Sequence, residues 1–191
     1  PYTTLFRSHY IEVIETESKR LSKLSDNLLK LSALESENVP LLLSDFRLDK
    51  QIEHAILTLE PQWIAKNIDI DVEFEKISIH ADEDLLGQVW INLIHNAVKF
   101  TSENGLIKIK LYINNNQIIC HITDNGVGIS KGDQIHIFER FFKVDKSRDR
   151  ALGGNGLGLS LCKKIIELHN GQITMESELG KGTKFIVTLL K

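Results

Sequence analysis

The chain has 191 residues, of which 42% are hydrophobic and 26% charged, with a net charge of -3. That is an ordinary globular profile, long enough for one domain of roughly 100–150 residues plus an appended element. It excludes a strongly basic surface, so no nucleic acid partner is expected. No apolar run approaches the roughly 20 residues of a membrane span, and the start lacks a signal-peptide layout, so a soluble segment without membrane contact is expected. Cys120 and Cys162 lie in strand-like and helix-like runs and read as buried, reduced thiols.

In chain order, residues 9–36 carry Ile11, Ile14, Leu21, Leu24, Leu28, Leu31 and Leu34, whose spacing predicts an amphipathic helix with one narrow apolar seam. Such a seam wants a partner helix, and the neighbouring sequence offers no mate of similar length. Asn38-Val39-Pro40 ends the helix, residues 41–46 read as extended, and a domain boundary is expected there. A second helix is expected over about 47–66, interrupted at Pro61. Alternation predicts strands over 68–74 and 77–79. Asp82 reads as an N-cap, with Glu83 and Asp84 suiting the positive end of a helix that runs to about Phe100. Residues 105–113 and 117–123 alternate around Asn114-Asn115-Asn116, a hairpin signal. Helices over 133–142 and 157–169 and a strand pair over 171–178 and 183–190 complete the chain. The order after residue 44 is α, β, β, α, β, β, α, α, β, β, which predicts an α/β (α+β sandwich) fold. Its sheet is expected to be mixed, mostly antiparallel and backed by helices, with one long amphipathic helix in front.

The helix over 82–100 is apolar nearly all round but carries a polar stripe of Gln88, Asn92, Asn96 and Lys99. Spacings of four, four and three stack these side chains on one face. Unpartnered burial would cost roughly 1–3 kcal/mol per asparagine amide, so the stripe faces something polar. Either it caps neighbouring backbone groups, or Asn92 and Asn96 give neutral oxygens to magnesium while Lys99 reaches a phosphate. ITDNGVGIS (122–130) ends the second hairpin strand. Asp124-Asn125-Gly126 is a turn signal, Gly128 suggests close approach by a ligand, and a strand-end carboxylate can accept from an exocyclic amine such as that of adenine. KVDKSRDRALGGN (143–155) is basic and poor in large apolar groups, which predicts a mobile loop, either a solvated charge run or a lid over phosphate. Its Lys143, Lys146, Arg148 and Arg150 precede a helix N-terminus, where free amides favour anions. GGNGLGL (153–159) lacks the Lys-Ser/Thr pair of a P-loop and does not follow the first strand of a βαβ unit, so neither familiar phosphate loop fits.

Taken in order, NLIHNAVKF (92–100), DNGVGIS (124–130), FERFF (138–142), GGNGLGL (153–159) and GKGT (180–183) resemble the N, G1, F, G2 and last glycine boxes of two-component sensor histidine kinases. The resemblance covers residues 45–191, and it implies the ATP-binding fold shared with DNA gyrase, mismatch-repair ATPases and a heat-shock chaperone, with ATP and Mg2+ as cofactors. It also implies roles: Asn96 coordinates magnesium with Asn92 alongside, and Lys99 contacts phosphate. Asp124 holds the adenine amine, Gly126 and Gly128 shape that pocket, and Thr183 lies near the base. Phe138 and Phe142 anchor the lid, Lys143 is a candidate for the γ-phosphate, Gly153 and Gly154 act as its hinge, and the amides of Gly156, Leu157 and Gly158 bind phosphate. Asn155 and Phe100 stand where the family usually has a hydroxyl, so neither is assigned a hydroxyl role. Replacing Gly156 with Val is expected to weaken ATP binding with little loss of fold.

Residues 20–36 resemble the second helix of the kinase's dimerisation and phosphotransfer hairpin, which implies a homodimer through the hairpin helices in the intact protein, a response regulator receiver domain as partner, and a cytoplasmic setting. Residues 9–39 are thus expected to be a truncated hairpin and 40–191 the catalytic domain. None of the seven histidines lies in a phosphoacceptor context. PYTTLFRS (1–8) resembles a translated sequencing adapter and is expected to be non-native, the competing reading being a natural hairpin loop. Two other functions stay open: a non-catalytic nucleotide-binding and dimerisation module, and a gyrase-type ATP hydrolase. Against the hydrolase, Asn92 stands where the water-activating carboxylate would be.

Overall fold

Alternation governs the centre of the molecule. Ile107, Ile109, Leu111, Ile118, Cys120 and Ile122 are at most 1% exposed, while Lys108, Lys110 and His121, set between them, fall on the opposite face of the pleat. The computed structural model describes residues 2–36, 39–144 and 155–191. The chain runs through α1 (Tyr2–Leu34), β1 (Leu43–Arg47), α2 (Leu48–Thr58), α3 (Glu60–Ala65), β2 (Asp69–Phe74), β3 (Ser78–Asp82) and α4 (Glu83–Phe100). It continues through β4 (Leu106–Asn114), β5 (Gln117–Asp124), α5 (Lys131–Gln134), α6 (Gly158–Leu168), β6 (Gln172–Glu178) and β7 (Gly182–Leu190).

The main sheet has the order β2-β4-β5-β7-β6. Only β2 and β4 are parallel; the other neighbours are antiparallel. The parallel pair is possible because β3 and α4 supply the long crossover between its strands. The β4–β5 turn places Asn115 and Asn116 at φ 48° and 65°, the left-handed pair that a two-residue hairpin turn demands. The mixed, mostly antiparallel sheet backed by helices is therefore as expected. A pairing that alternation does not announce is that of β1 with β3, which form a separate two-stranded sheet.

Helices α2, α4 and α6 enclose the core with the inner face of the sheet. Leu86, Val89, Trp90, Leu93 and Ile94 of α4 are 0% exposed, which explains why that helix is apolar on nearly every side. Asp82 caps it, as expected: Oδ1 accepts from the Leu85 N–H at 3.0 Å, and Oδ2 from the Leu42 N–H at 2.9 Å. The helix expected over 47–66 is divided into α2 and α3 at Leu59, with Pro61 in the first turn of α3, where its missing N–H costs nothing.

Two expectations need correction. Residues 133–142 do not form a helix. Only Lys131–Gln134 is helical, because Phe141 takes φ 61° and donates its N–H to the Gly156 carbonyl at 2.8 Å, a long-range bond that no helix could make. The apolar seam of α1 is also not wholly without a mate. Leu31 and Leu34 are 3% and 6% exposed and join the core where α1 meets α6, whereas Ile11, Ile14 and Leu21 stay 63–65% exposed. Lys30 Nζ donates to Gln88 Oε1 at 3.0 Å, and Glu35 pairs with Arg140. The helix begins at Tyr2, so residues 2–8 continue it. Among the described residues no helix is long and apolar enough to cross a membrane.

Candidate functional site

The end of β5 meets the start of β7 at Asp124. The residue is 6% exposed, and Oδ1 accepts from the Gly126 N–H at 2.9 Å and the Thr183 N–H at 3.3 Å. Among the described residues Oδ2 accepts from nothing. Burial pushes the carboxyl up to about 6, with the two amide donors pulling it back. An ionised carboxylate with one spare oxygen in a partly dry setting is a strong acceptor for an amine.

The glycines around it serve the protein's own backbone. A Cβ on Gly126 would stand 2.4 Å from the Phe100 carbonyl oxygen, and one on Gly128, at φ 66°, would stand 2.0 Å from that of Glu178. Gly128 was expected to admit a ligand; the atom that approaches it is the carbonyl of the β6–β7 turn. Gly182, at φ 107°, would place a Cβ 1.9 Å from the Asp124 carbonyl oxygen. Thr183 is 7% exposed, with its hydroxyl 3.0 Å from Ser177 Oγ. Ser177 is a member that the sequence reading misses. Its Oγ accepts from the Ile129 N–H at 2.8 Å and donates to the Gly182 carbonyl at 2.8 Å, tying the turn after β5 to both strands of the final pair. The signal available for it is only its position five residues before Gly182 on a paired strand.

Along α4 the stripe of Gln88, Asn92, Asn96 and Lys99 is half-buried, and its four members meet different things. Gln88 is taken by Lys30. Asn92 sits at the seam with α6: its Oδ1 lies 3.8 Å from where a Gly158 Cβ would be, and its amide lowers the Cys162 thiol, which burial has pushed up to about 12. The Asn96 amide has no hydrogen-bond partner among the described residues. Lys99 places Nζ 4.8 Å from the centroid of the Phe100 ring. Asn92 thus serves a protein neighbour, a thiol rather than a backbone group, while the half-buried Asn96 is not used in that way.

The amino end of α6 lies across from that stripe. Among the described residues no side chain caps the helix, which leaves its first amides suited to an anion. Gly158 fits beside Asn92 with ordinary spacing. Asn155 Oδ1, by contrast, accepts from the Leu157 N–H at 3.2 Å, so that amide, expected to face phosphate, already has a partner. Gly156 takes φ 71°, and a Cβ there would be 2.7 Å from the Phe141 carbonyl carbon. A valine at 156 would therefore strain the fold, contrary to expectation. Phe138 and Phe142 pack against the core, with Lys163 Nζ 5.9 Å from the Phe138 ring and the His136 ring 5.4 Å from that of Phe142. Lys143 is half-buried just beyond them. Gly153, Gly154, Lys146, Arg148 and Arg150, the remaining lid and hinge residues, lie outside the described residues.

Asp124, Gly126, Gly128 and Thr183 are thus gathered at one end of the sheet, while Asn92, midway along α4, lies against Gly158 at the start of α6. The Phe100 carbonyl joins the groups, since it lies against Gly126 and accepts from the Val127 N–H at 3.4 Å.

Residues 81–191 match a protein family described as histidine kinase-, DNA gyrase B-, and HSP90-like ATPase. Signal transduction histidine-protein kinase ArlS of Staphylococcus aureus (strain USA300) is 37% identical over 172 residues, 88% of this chain and 38% of ArlS. The chain therefore spans well under half the length of the curated relatives it matches. Full-length ShkA in complex with AMPPNP matches with a TM-score of 0.82 at 25% identity, over 94% of this chain and 38% of that one. Histidine kinase ThkA in complex with response regulator protein TrrA matches with a TM-score of 0.76 at 31% identity, over 95% of this chain and 50% of that one.

Proposed function

We propose, from the premise that the chain belongs to the histidine kinase-, DNA gyrase B- and HSP90-like ATPase family, that it binds ATP between the Asp124 end of the sheet and the α4–α6 seam and passes the γ-phosphate to a histidine. The observation that carries the site is Asp124, a buried carboxylate with one oxygen held by two backbone amides and the other unengaged. Oδ2 accepts from the adenine amine, Thr183 lies beside the base, and the sugar and phosphates run along α4 toward α6. There the uncapped helix end and Lys99 meet negative charge, with Lys143 beyond the Phe138–Phe142 pair as the candidate for the γ-phosphate.

The donor set fits magnesium. Asn96 offers a neutral oxygen that no described residue uses, and Asn92 stands one turn before it; a magnesium ion shared with substrate phosphates needs few protein ligands. When bound, the ion neutralises charge developing on the phosphates. The chain's own residues position the reactants: Asp124 and Thr183 fix the base, while Lys99 and the α6 amides fix the phosphates. In the transfer the bond from the γ-phosphorus to the bridging oxygen breaks, a bond to the histidine nitrogen forms, and ADP leaves with the electron pair. The phosphoryl group then moves to an aspartate of a response regulator receiver domain, the class of partner that ThkA holds in its complex with TrrA. The exposed part of the α1 seam, Ile11, Ile14 and Leu21, suits helix packing in a homodimer through the hairpin.

Two measurements test this. Titration of the chain with ATP, with and without magnesium, is expected to show binding that magnesium tightens, with Asn96→Ala losing the magnesium effect while keeping affinity for ADP without metal. Phosphate labelling is expected only when a hairpin bearing an acceptor histidine is supplied, since none of the seven histidines here has that context. Labelling of the chain by itself would overturn the assignment.

A further inference from the structure

The last four carbonyls of a helix have no partner within it, and those of α4 are all accounted for. That of Ala97 accepts from the Thr101 N–H at 3.0 Å. Those of Val98 and Lys99 each accept from Lys66 Nζ at 2.8 Å. That of Phe100 accepts from the Val127 N–H at 3.4 Å and lies against Gly126. Lys66 makes a third bond, at 2.9 Å, to the Thr101 carbonyl, so all three donors of its ammonium are used. The helix end is therefore shared between one lysine, reaching from the turn after α3, and the glycine turn that follows Asp124.

We infer that Lys66 is a positioning residue for the nucleotide site, holding the last turn of α4 so that the Phe100 carbonyl can support the turn at Gly126–Gly128 beside Asp124. This rests on the site proposed above. Three features make the joint depend on the lysine. The carbonyls it holds flank Phe100 on both sides, so their loss frees that peptide to turn. A cation at the carboxyl end of a helix also interacts favourably with the helix dipole. Nothing else secures Thr101 from its side chain: the residue is 1% exposed, and its hydroxyl has no partner among the described residues. The lysine's own loop is anchored in turn, its carbonyl accepting from the Asn104 N–H at 3.0 Å and Asn67 Nδ2 donating to Asn104 Oδ1 at 2.6 Å. Removing the ammonium would leave the Val98 and Lys99 carbonyls without partners in the same turn that presents the Lys99 side chain toward phosphate.

The test compares the parent chain with Lys66→Met, which keeps the stem and removes the donors, and Lys66→Arg, which restores a charged donor. Hydrogen exchange is measured without nucleotide, and affinity for ADP by titration calorimetry. Lys66→Met is expected to speed exchange of the Val127 amide relative to those of β5 and to weaken ADP about tenfold, the scale of losing charge-assisted hydrogen bonds. Lys66→Arg should recover most of both. A Lys66→Met chain with native exchange in β5 that binds ADP within about twofold of the parent overturns the inference, because a merely structural lysine lowers stability without that loss. Should that variant not fold, Lys66→Gln, which keeps one donor group, is read in the same way. If the parent itself binds no ADP, the site assignment fails, and the Val127 amide alone still decides whether Lys66 holds the turn: unchanged exchange overturns it.

Discussion

Around Asp124 the glycines are pressed against the protein's own backbone, whereas at the start of α6 Gly158 has room to spare. A Cβ on Gly182, Gly128 or Gly126 would stand 1.9, 2.0 or 2.4 Å from a carbonyl oxygen, closer than real side chains come. At Gly158 the nearest atom, in the Asn92 side chain, is 3.8 Å away, an ordinary contact. The division does not follow the motifs: of the two described glycines of GGNGLGL, Gly156 belongs with the first group and Gly158 does not. Glycine in a binding motif therefore has two causes. One is crowding within the fold, and the other is clearance kept for something else. Only the second can be substituted without strain, and only there does a change in binding report on the ligand alone.

The largest effect is expected where crowding is worst. Gly182→Ala combines a left-handed backbone with a backbone clash and should lose about 3 kcal/mol or more of stability in urea denaturation. A loss under about 1 kcal/mol would mean that the turn relaxes freely, and the two kinds of glycine would no longer differ.

Asp124→Asn should act in the opposite direction. The folded carboxyl is held at about 6, above its unfolded value of about 3.9. The folded chain therefore binds this proton more tightly, stability falls as pH rises from about 4 to about 6, and the cost persists above that window. Two units correspond to about 3 kcal/mol as an upper figure, so the asparagine variant should be more stable than the parent at pH 8 and no more stable near pH 4. Its amide can still accept from the Gly126 and Thr183 N–H groups, but it then turns an NH2 toward the adenine amine, donor against donor, and ATP affinity should fall by about tenfold or more. Equal stability at both pH values would place the carboxyl in water and remove the basis for the site.

The smallest structural effect belongs to Gly158→Ala. The residue is helical and uncrowded, so alanine should leave stability unchanged or raise it by up to about 1 kcal/mol. Binding of ATP should nonetheless weaken by about tenfold, and binding of adenosine much less, if the clearance at α6 serves phosphate. Equal loss for ATP and adenosine would make Gly158 a packing glycine like the others. Gly156→Val cannot serve this purpose, because φ 71° and the Phe141 backbone would confound binding with strain.

What could be read in advance was whatever depends on neighbours along the chain. The period-2 pattern of β4 and β5, the paired asparagines of their turn, the Asp82 cap and the break before Pro61 arise from local sterics and from hydrogen bonds spanning a few residues. Asp124 and Asn96 could be singled out for a related reason: a carboxylate and an amide set at fixed places in apolar elements stand out against their surroundings. The failures share an opposite cause. The helix expected over 133–142 is overruled by one bond from Phe141 to Gly156. Ser177 looks like any strand serine, and Lys66 like any surface lysine. Gly128 and Gly156 look like ligand glycines until the Glu178 and Phe141 backbones are seen against them.

By itself, then, the order of residues determined most of the strands and helices, because propensity and periodicity act over short stretches, and the ordered boxes from 92 to 183 carried the resemblance to the family. Tertiary structure alone decided which glycines are crowded, which amide Asn155 occupies, and which lysine completes the end of α4. Each of those depends on backbone atoms brought together from distant parts of the chain, and a backbone carbonyl looks the same in every residue's letter.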